Sequence, residues 1–468
     1  MSINNDILLI NVIYYSLFQK KIFENENEII NYFPENVFGI FSTIRRAHKI
    51  KTYPIDIHGC IGYWDKNFNT LNKQILYKHL LQVAHDSVWK DDRNKYFTPI
   101  ESEPETFIEL DFMLNPIYKI NKKDGTIIEL NISFTNNIFG IIIQSKDKTN
   151  TATYLPNVFP NISWKIILKS LKKKSNIISD EYELFAYKII QKKTKFINIL
   201  TNKNYNFNCI FNFSRLLIDN MSKGVFPYSC KNNILEWNSK DDVRNISVLA
   251  DVFKYINLYP DIASKSEINI LKNKILDILQ KIELYNSQSL SFLGYIYKIP
   301  QAKNKYINPK PFCEKLLKDL PNAENEFEKP EIIIGLNKAG CIMNVNDFLL
   351  TYNSNDSIFK MNWIIQAIIS FNKKPSNQLI IILENKIKDI IENKKKKETN
   401  YLAVSFEALC FIYQSNRKVS LLNHLFQLFF ELEQRKKYYN VLYIFLQGSA
   451  RVDITGHIMN GLNQLYRV

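Results

Sequence analysis

From about residue 240 onward, apolar residues recur at helical spacing in one segment after another: 243–256, 266–284, 289–298, 309–318, 330–341, 357–371, 377–392, 400–414, 419–436 and 452–466. Short pieces holding Pro, Asn or Ser connect them. A chain patterned this way must bury stripe against stripe, which restricts it to packed helices. Alternate segments start near 243, 289, 331, 357, 400 and 452, an imperfect period of about 40–50 residues with one short step after 331. Stacked helical hairpins at such a period either extend as an open solenoid or close into an α/α toroid. The reading adopted is an all-α domain over 241–468, closed as a toroid.

The first 200 residues are patterned differently. Residues 37–44 and 55–63 read as short strands near glycine, and 107–120 alternate as a strand does, with Phe107, Glu109, Asp111 and Met113 on one side. Residues 126–134 and 138–144 read as a strand pair around Asn136-Asn137. Helices are expected at 7–18, 70–90, 161–174 and 179–191. This is an α+β domain, an antiparallel sheet with helices, over 1–200; residues 201–240 are read as a linker and entry segment.

Lys plus Arg number 61 against 46 Asp plus Glu, a formal net charge of +15. The same chain is rich in Asn, Ile, Lys and Tyr and holds only 12 glycines, the preferences of AT-rich codons. Net charge so explained is no basis for nucleic-acid binding, which needs cations clustered with exposed aromatics. Six cysteines at wide spacing form no CxxC pair, so neither a zinc site nor a disulfide framework is expected. No metal or cofactor is expected either. The apolar stretch 7–18 is too short to span a bilayer and lacks the marks of a signal peptide. A reducing cytoplasmic setting with no membrane partner is the default expectation.

Where glycine is scarce, its positions are informative. Phe38-Gly39-Ile40-Phe41-Ser42-Thr43 precedes Ile57-His58-Gly59-Cys60-Ile61-Gly62. Asp91-Asp92-Arg93, Phe97-Thr98-Pro99-Ile100, Ile108-Glu109-Leu110-Asp111 and Ala152-Thr153-Tyr154-Leu155-Pro156 follow in order. In these ordered segments the first 200 residues resemble the AMMECR family, whose hallmark is a Gly-Cys-Ile-Gly segment. His58 stands where that family usually has Arg, and Asn94-Lys95-Tyr96 is an apparent insertion. The family's own activity is not established, so the resemblance implies a fold and a place to look, the segment around Cys60.

Cys60 lies in a turn-prone segment with His58 two residues away, on the same face if the segment is a strand. One reading makes Cys60 a nucleophilic or redox thiol with His58 and Asp91 as partners and Thr43, Gly59, Gly62 and Arg93 shaping a cleft. The other makes Cys60 a small packed thiol and Asp91-Asp92-Arg93 a helix-end ion network. In the second half, Gly224-Val225-Phe226-Pro227-Tyr228 followed by a polar-headed helix is similar to α/α-toroid domains of carbohydrate-active proteins. Such domains gather polar residues around a cavity, and Arg244, Asn245, Arg451, Asp453 and His457 are the candidates that likeness implies. Glu407 and Cys410 read as packing residues. The functional expectation is a Cys60-dependent enzyme whose helical domain recognises a glycan or protein. The alternative is a binding or scaffold protein without chemistry.

Overall fold

A computed structural model describes residues 3–20, 26–47, 55–92, 106–158, 162–222, 225–238, 240–298, 308–323, 326–341, 352–392, 398–417, 420–439, 441–446 and 449–466. The chain divides into two compact units, Met1–Ile199 and Leu200–Val468.

The first unit is built on six strands: β1 (Val37–Ala47), β2 (Ile55–Trp64), β3 (Phe107–Lys119), β4 (Gly140–Ser145), β5 (Thr151–Tyr154) and β6 (Tyr182–Lys195). They pair antiparallel throughout, in the order β2-β1-β3-β6-β4-β5. Helix α2 (Lys73–Trp89) packs across β1 and β2, and α1 (Ile3–Phe18) packs on α2. Ser42 meets Ser87 of α2 at 2.9 Å, so the even-numbered residues of β1 face the helix. Ile40 and Ile44 therefore join their cross-strand partners Phe112 and Ile108 in the core beneath α2, all fully buried. Phe41 and Thr43 point to the opposite face.

Two expectations for this unit are corrected. Of residues 179–191, read as a helix, 182–191 belong to β6, a central strand. Both faces of β6 are covered at Leu184, Phe185, Ala186 and Tyr187, which erases the two-residue alternation that would have identified it. Residues 126–134 and 138–144 do not pair with each other. Thr126–Ile127 pairs with Ile132–Ser133 in a small separate hairpin, while β4 joins β5 and β6 in the main sheet. The helix expected at 161–174 is α3 (Trp164–Ser175).

The second unit is mostly helical, and its helices fall into two kinds. The all-round buried α9 (Glu328–Ala339) and α12 (Thr399–Asn416) contrast with α11 (Asn377–Glu392), which buries one stripe at Leu379, Ile380, Leu383, Ile387 and Ile390. A helix apolar all round is an inner helix, and a striped one covers it. The inner ones pack in a closed order. They are α5 (Asp242–Leu258), α7 (Ser287–Ser291, continued as a 3-10 turn to Lys298), α9, α10 (Ile358–Ser370), α12 and α14 (Val452–Tyr466), and α14 returns to α5. Against them lie α4 (Lys203–Asp219), α6 (Lys265–Gln280), α8 (Pro309–Asp319), α11 and α13 (Ser420–Gln434).

The expected linker 201–240 is instead part of this unit, holding α4 and the strands β7 (Ser229–Lys231) and β8 (Ile234–Glu236). With β9 (Lys436–Tyr438), β10 (Leu442–Leu446) and β11 (Ser449–Arg451) they form a five-stranded antiparallel sheet, an addition to the purely helical expectation. Strands of three to five residues carry too little alternation to register in the sequence. The reading of unpaired cysteines is also corrected: Cys313 on α8 and Cys341, just after α9, form a disulfide with Cα atoms 5.8 Å apart. It ties an outer helix to the inner helix it covers. Among the described residues no helix is long and apolar enough to cross a membrane.

Candidate functional site

In the first unit, antiparallel pairing sets Cys60 opposite Thr43, and Thr43 opposite Glu109, in one row across β2, β1 and β3. The Thr43 hydroxyl donates to the Cys60 sulfur at 3.2 Å. Strand β2 is an edge strand, so an amide pointing off the sheet needs another partner. Asp91 Oδ2 accepts the Cys60 N–H at 2.9 Å. That contact depends on Gly59: a Cβ there would come within 2.0 Å of the Ser87 carbonyl oxygen, so only glycine lets β2 press against α2. Gly62 similarly leaves room for the Phe41 ring.

The rows beside Cys60 hold further buried polar groups. Arg45 pairs with Glu109, and Gln191 donates to Asp111 at 2.9 Å. Burial pushes the Asp111 carboxyl up to about 6. His85 is engaged instead by Gln19, just after α1, and by its neighbour Asp86. The His58 side chain and all of Arg93 lie outside the described residues. The structure thus brings Cys60, Thr43, Gly59 and Asp91 together.

In the second unit the inner helices enclose a cavity of about 1230 Å³. At the end of this cavity where α5 and α14 begin, Asp241 caps α5 by accepting the Arg244 N–H at 3.1 Å. Arg244 and Arg451 each donate through Nε to Asp453, both at 3.0 Å. Burial works against ionisation, but the two guanidinium groups hold the Asp453 carboxyl below the usual carboxylate range. Asn245 takes no part in this cluster; its amide donates to the Asn238 carbonyl at 2.8 Å.

Deeper in the wall, His457 Nδ1 lies 2.7 Å from Glu407 Oε2, and Asn362 donates to the same oxygen at 2.8 Å. Burial disfavours the imidazolium, but Glu407, reinforced by Asp453 and Asp251, raises the His457 pKa above its ordinary value. Asp251 accepts from Asn460 at 3.0 Å, and Asn460 in turn accepts from Lys254 at 2.9 Å. Burial raises the Asp251 carboxyl. Glu331, on α9, is 5% exposed and lines the same cavity. Its Oε2 finds no hydrogen-bond partner among the described residues. Burial pushes its carboxyl up to about 8, so it carries a proton at neutral pH.

Aromatic rings complete the wall. Trp363 stands edge-on to His457 at 6.4 Å and to Phe292 at 5.9 Å, and Phe327 and Phe359 meet at 6.0 Å. The cavity therefore offers flat apolar faces, charged groups of both signs and the protonated Glu331 carboxyl. Among the described residues no group of three or more His, Cys, Asp or Glu is placed to hold a metal ion.

Residues 10–191 match the model of the AMMECR1 family. The first unit of this protein is an AMMECR1 domain. No curated protein and no solved structure matches the chain. The AMMECR1 domain includes the Cys60 row, whereas the cavity lies wholly beyond the matched residues.

Of the residues singled out in the helical half, Arg244, Arg451, Asp453 and His457 come together on the cavity wall. Glu407, read as a packing residue, is the hydrogen-bond partner of His457. Glu331 and Asp251 were not foreseen. Asp251 and Glu407 carry one signal, a lone carboxylate inside an apolar helical run, as in Leu249-Ala250-Asp251-Val252 and Phe406-Glu407-Ala408-Leu409, whereas Glu331 follows the charged stretch Glu328-Lys329 and reads as an ordinary helix start. A buried charge is expensive unless its surroundings need it.

Proposed function

We propose that the helical unit recognises a carbohydrate in its central cavity, working as a closed α/α ring of the toroid type. What supports the ring is the packing order in which α14 returns to α5. What carries the ligand class is the combination around the cavity of Trp363 and Phe292 with hydrogen-bonding groups such as Gln366, Asn460 and Asp251. Sugar rings present apolar faces and polar rims, and a pocket of few placed polar groups among aromatic rings fits that pattern. Binding of the full-length chain to an oligosaccharide array tests the reading. At least one class of glycan should be retained and Trp363→Ala should weaken it at least about tenfold, the cost of roughly 1.4 kcal/mol of lost contact. Retention of no glycan, or equal retention by the variant, contradicts it.

A second reading concerns the AMMECR1 domain and rests on the Thr43 hydrogen bond to the Cys60 sulfur. A hydroxyl donor favours the thiolate, which is the reactive form. Thr43→Val keeps the shape and removes the donor. Alkylation of Cys60 by iodoacetamide near neutral pH should slow in that variant, and an unchanged rate leaves Cys60 a packing residue. If neither test succeeds, a scaffold without chemistry is the reading that stands.

A further inference from the structure

We propose that the cavity of the helical unit hydrolyses a glycosidic bond, with Glu331 as the proton donor and Asp251 as the base that activates water. This rests on the carbohydrate reading above and adds a reaction to it.

The geometry singles out Glu331. It is a buried carboxyl on the cavity wall, and one of its oxygens has no partner among the described residues. An unpaired buried polar atom costs free energy that a bound ligand recovers. An acid must also be able to release its proton during the reaction. His457, from α14, acts electrostatically on Glu331 and favours the carboxylate that donation leaves behind. Glu407, 2.7 Å away, favours the charged form of that imidazole against its burial. Asp251 faces the same cavity from α5 and acts on the same His457, which ties both carboxyls to one centre. Among the described residues, the charged groups that also face this centre include Lys254 on α5, Glu328 and Lys338 on α9, and Asp453 on α14 with its partners Arg244 and Arg451. Two carboxyls facing one cavity, one to give a proton and one to take one, are what cleavage of an acetal needs.

The step balances without a cofactor. The O–H bond of Glu331 breaks as its proton passes to the glycosidic oxygen. The bond from that oxygen to the anomeric carbon breaks, and its electron pair leaves with the departing alcohol. Water adds to the anomeric carbon and gives its second proton to Asp251. Glu331 ends as carboxylate and Asp251 as acid, and exchange with solvent resets both.

The test uses the full chain on cello-, xylo-, manno-, malto- and chito-oligosaccharides, reading new reducing ends, with binding of the same sugars measured separately. The wild-type chain should release reducing ends from at least one series. Glu331→Gln, which keeps the neutral shape of the protonated side chain, should lose on the order of 100-fold or more on that series. It should retain most of its rate on the matching dinitrophenyl glycoside, whose leaving group needs no proton. The fall in rate above about pH 8 seen with the oligosaccharide should be absent from the variant on the dinitrophenyl glycoside. Asp251→Asn should lose both activities. Sugars bound without release of reducing ends overturn the hydrolysis and leave the carbohydrate reading intact, whereas absence of binding overturns both. Oligosaccharide cleavage by Glu331→Gln at the wild-type rate also overturns the assignment. Glu331→Asp, which keeps the acid on a shorter arm, should fall between the two, and activity equal to wild type counts against Glu331 as donor.

Discussion

Glu331 occupies the first turn of α9, where the exposed amides of a helix favour an anion, yet burial keeps the proton in place. A carboxyl whose proton is held more tightly in the folded than in the unfolded chain contributes stability at low pH. That contribution is lost as pH rises through the folded value. For Glu331 the loss runs from about 4.5 to about 8. Asp111 adds a loss of the same sign, from 3.8 to about 6. Between pH 6 and 8 Glu331 declines together with His457, whose pKa is raised from 6.5, so removing the Glu331 carboxyl removes one part of the slope. Denaturant unfolding across this window should show wild-type stability falling and the Glu331→Gln curve flatter. Parallel curves would mean that Glu331 is ionised in the folded protein. A second residue-scale prediction concerns Gly59. Alanine there meets a backbone oxygen that cannot swing away, and Gly59→Ala should cost about 1–3 kcal/mol, read as a lower urea midpoint. At this scale the sequence singled out Cys60, Thr43, Asp453 and His457 because glycine clusters and polar helix heads are local signals. It did not pair Glu407 with His457, since that hydrogen bond joins residues 50 apart on two helices.

At the scale of elements, legibility followed burial. Amphipathic outer helices such as α11 announce themselves by their stripe, whereas β6, covered on both faces, shows no period and was read as a helix. The inner helices touch closely where glycine allows it. A Cβ on Gly335 of α9 would lie 2.7 Å from the Ser291 backbone, and one on Gly294 would lie 2.3 Å from the Gly335 carbonyl oxygen. Gly335→Ala should therefore force α9 away from α7 and the turn that follows it. The expected cost is about 1–3 kcal/mol, with any cavity ligand bound more weakly, and an unchanged urea midpoint would contradict it. The Cys313–Cys341 bond closes a separation of 28 residues, for which chain entropy gives about 3.5 kcal/mol. Adding reductant, or Cys313→Ser, should lower the urea midpoint accordingly, and no shift would mean that the thiols are not joined in solution.

On the scale of the whole molecule, two compact units share one chain, and the family match is confined to the first. The AMMECR1 match ends at residue 191, and the second unit begins at Leu200. The break was legible because the pattern changes there from mixed to helical. Closure was chosen over an open solenoid without a local signal to decide it, since it depends on the return of α14 to α5, helices some 200 positions apart that no local pattern links. The central claim is that this closed order encloses a carbohydrate site with Trp363 on its wall. Of the five tryptophans in the chain, Trp363 alone lines the cavity among the described residues. Titration of the full-length protein with the oligosaccharide it retains, followed by tryptophan emission, tests that claim most directly. A saturable change in emission that is abolished in Trp363→Phe is the predicted result. A saturable change that survives intact in Trp363→Phe, or no change at saturating sugar, would contradict it.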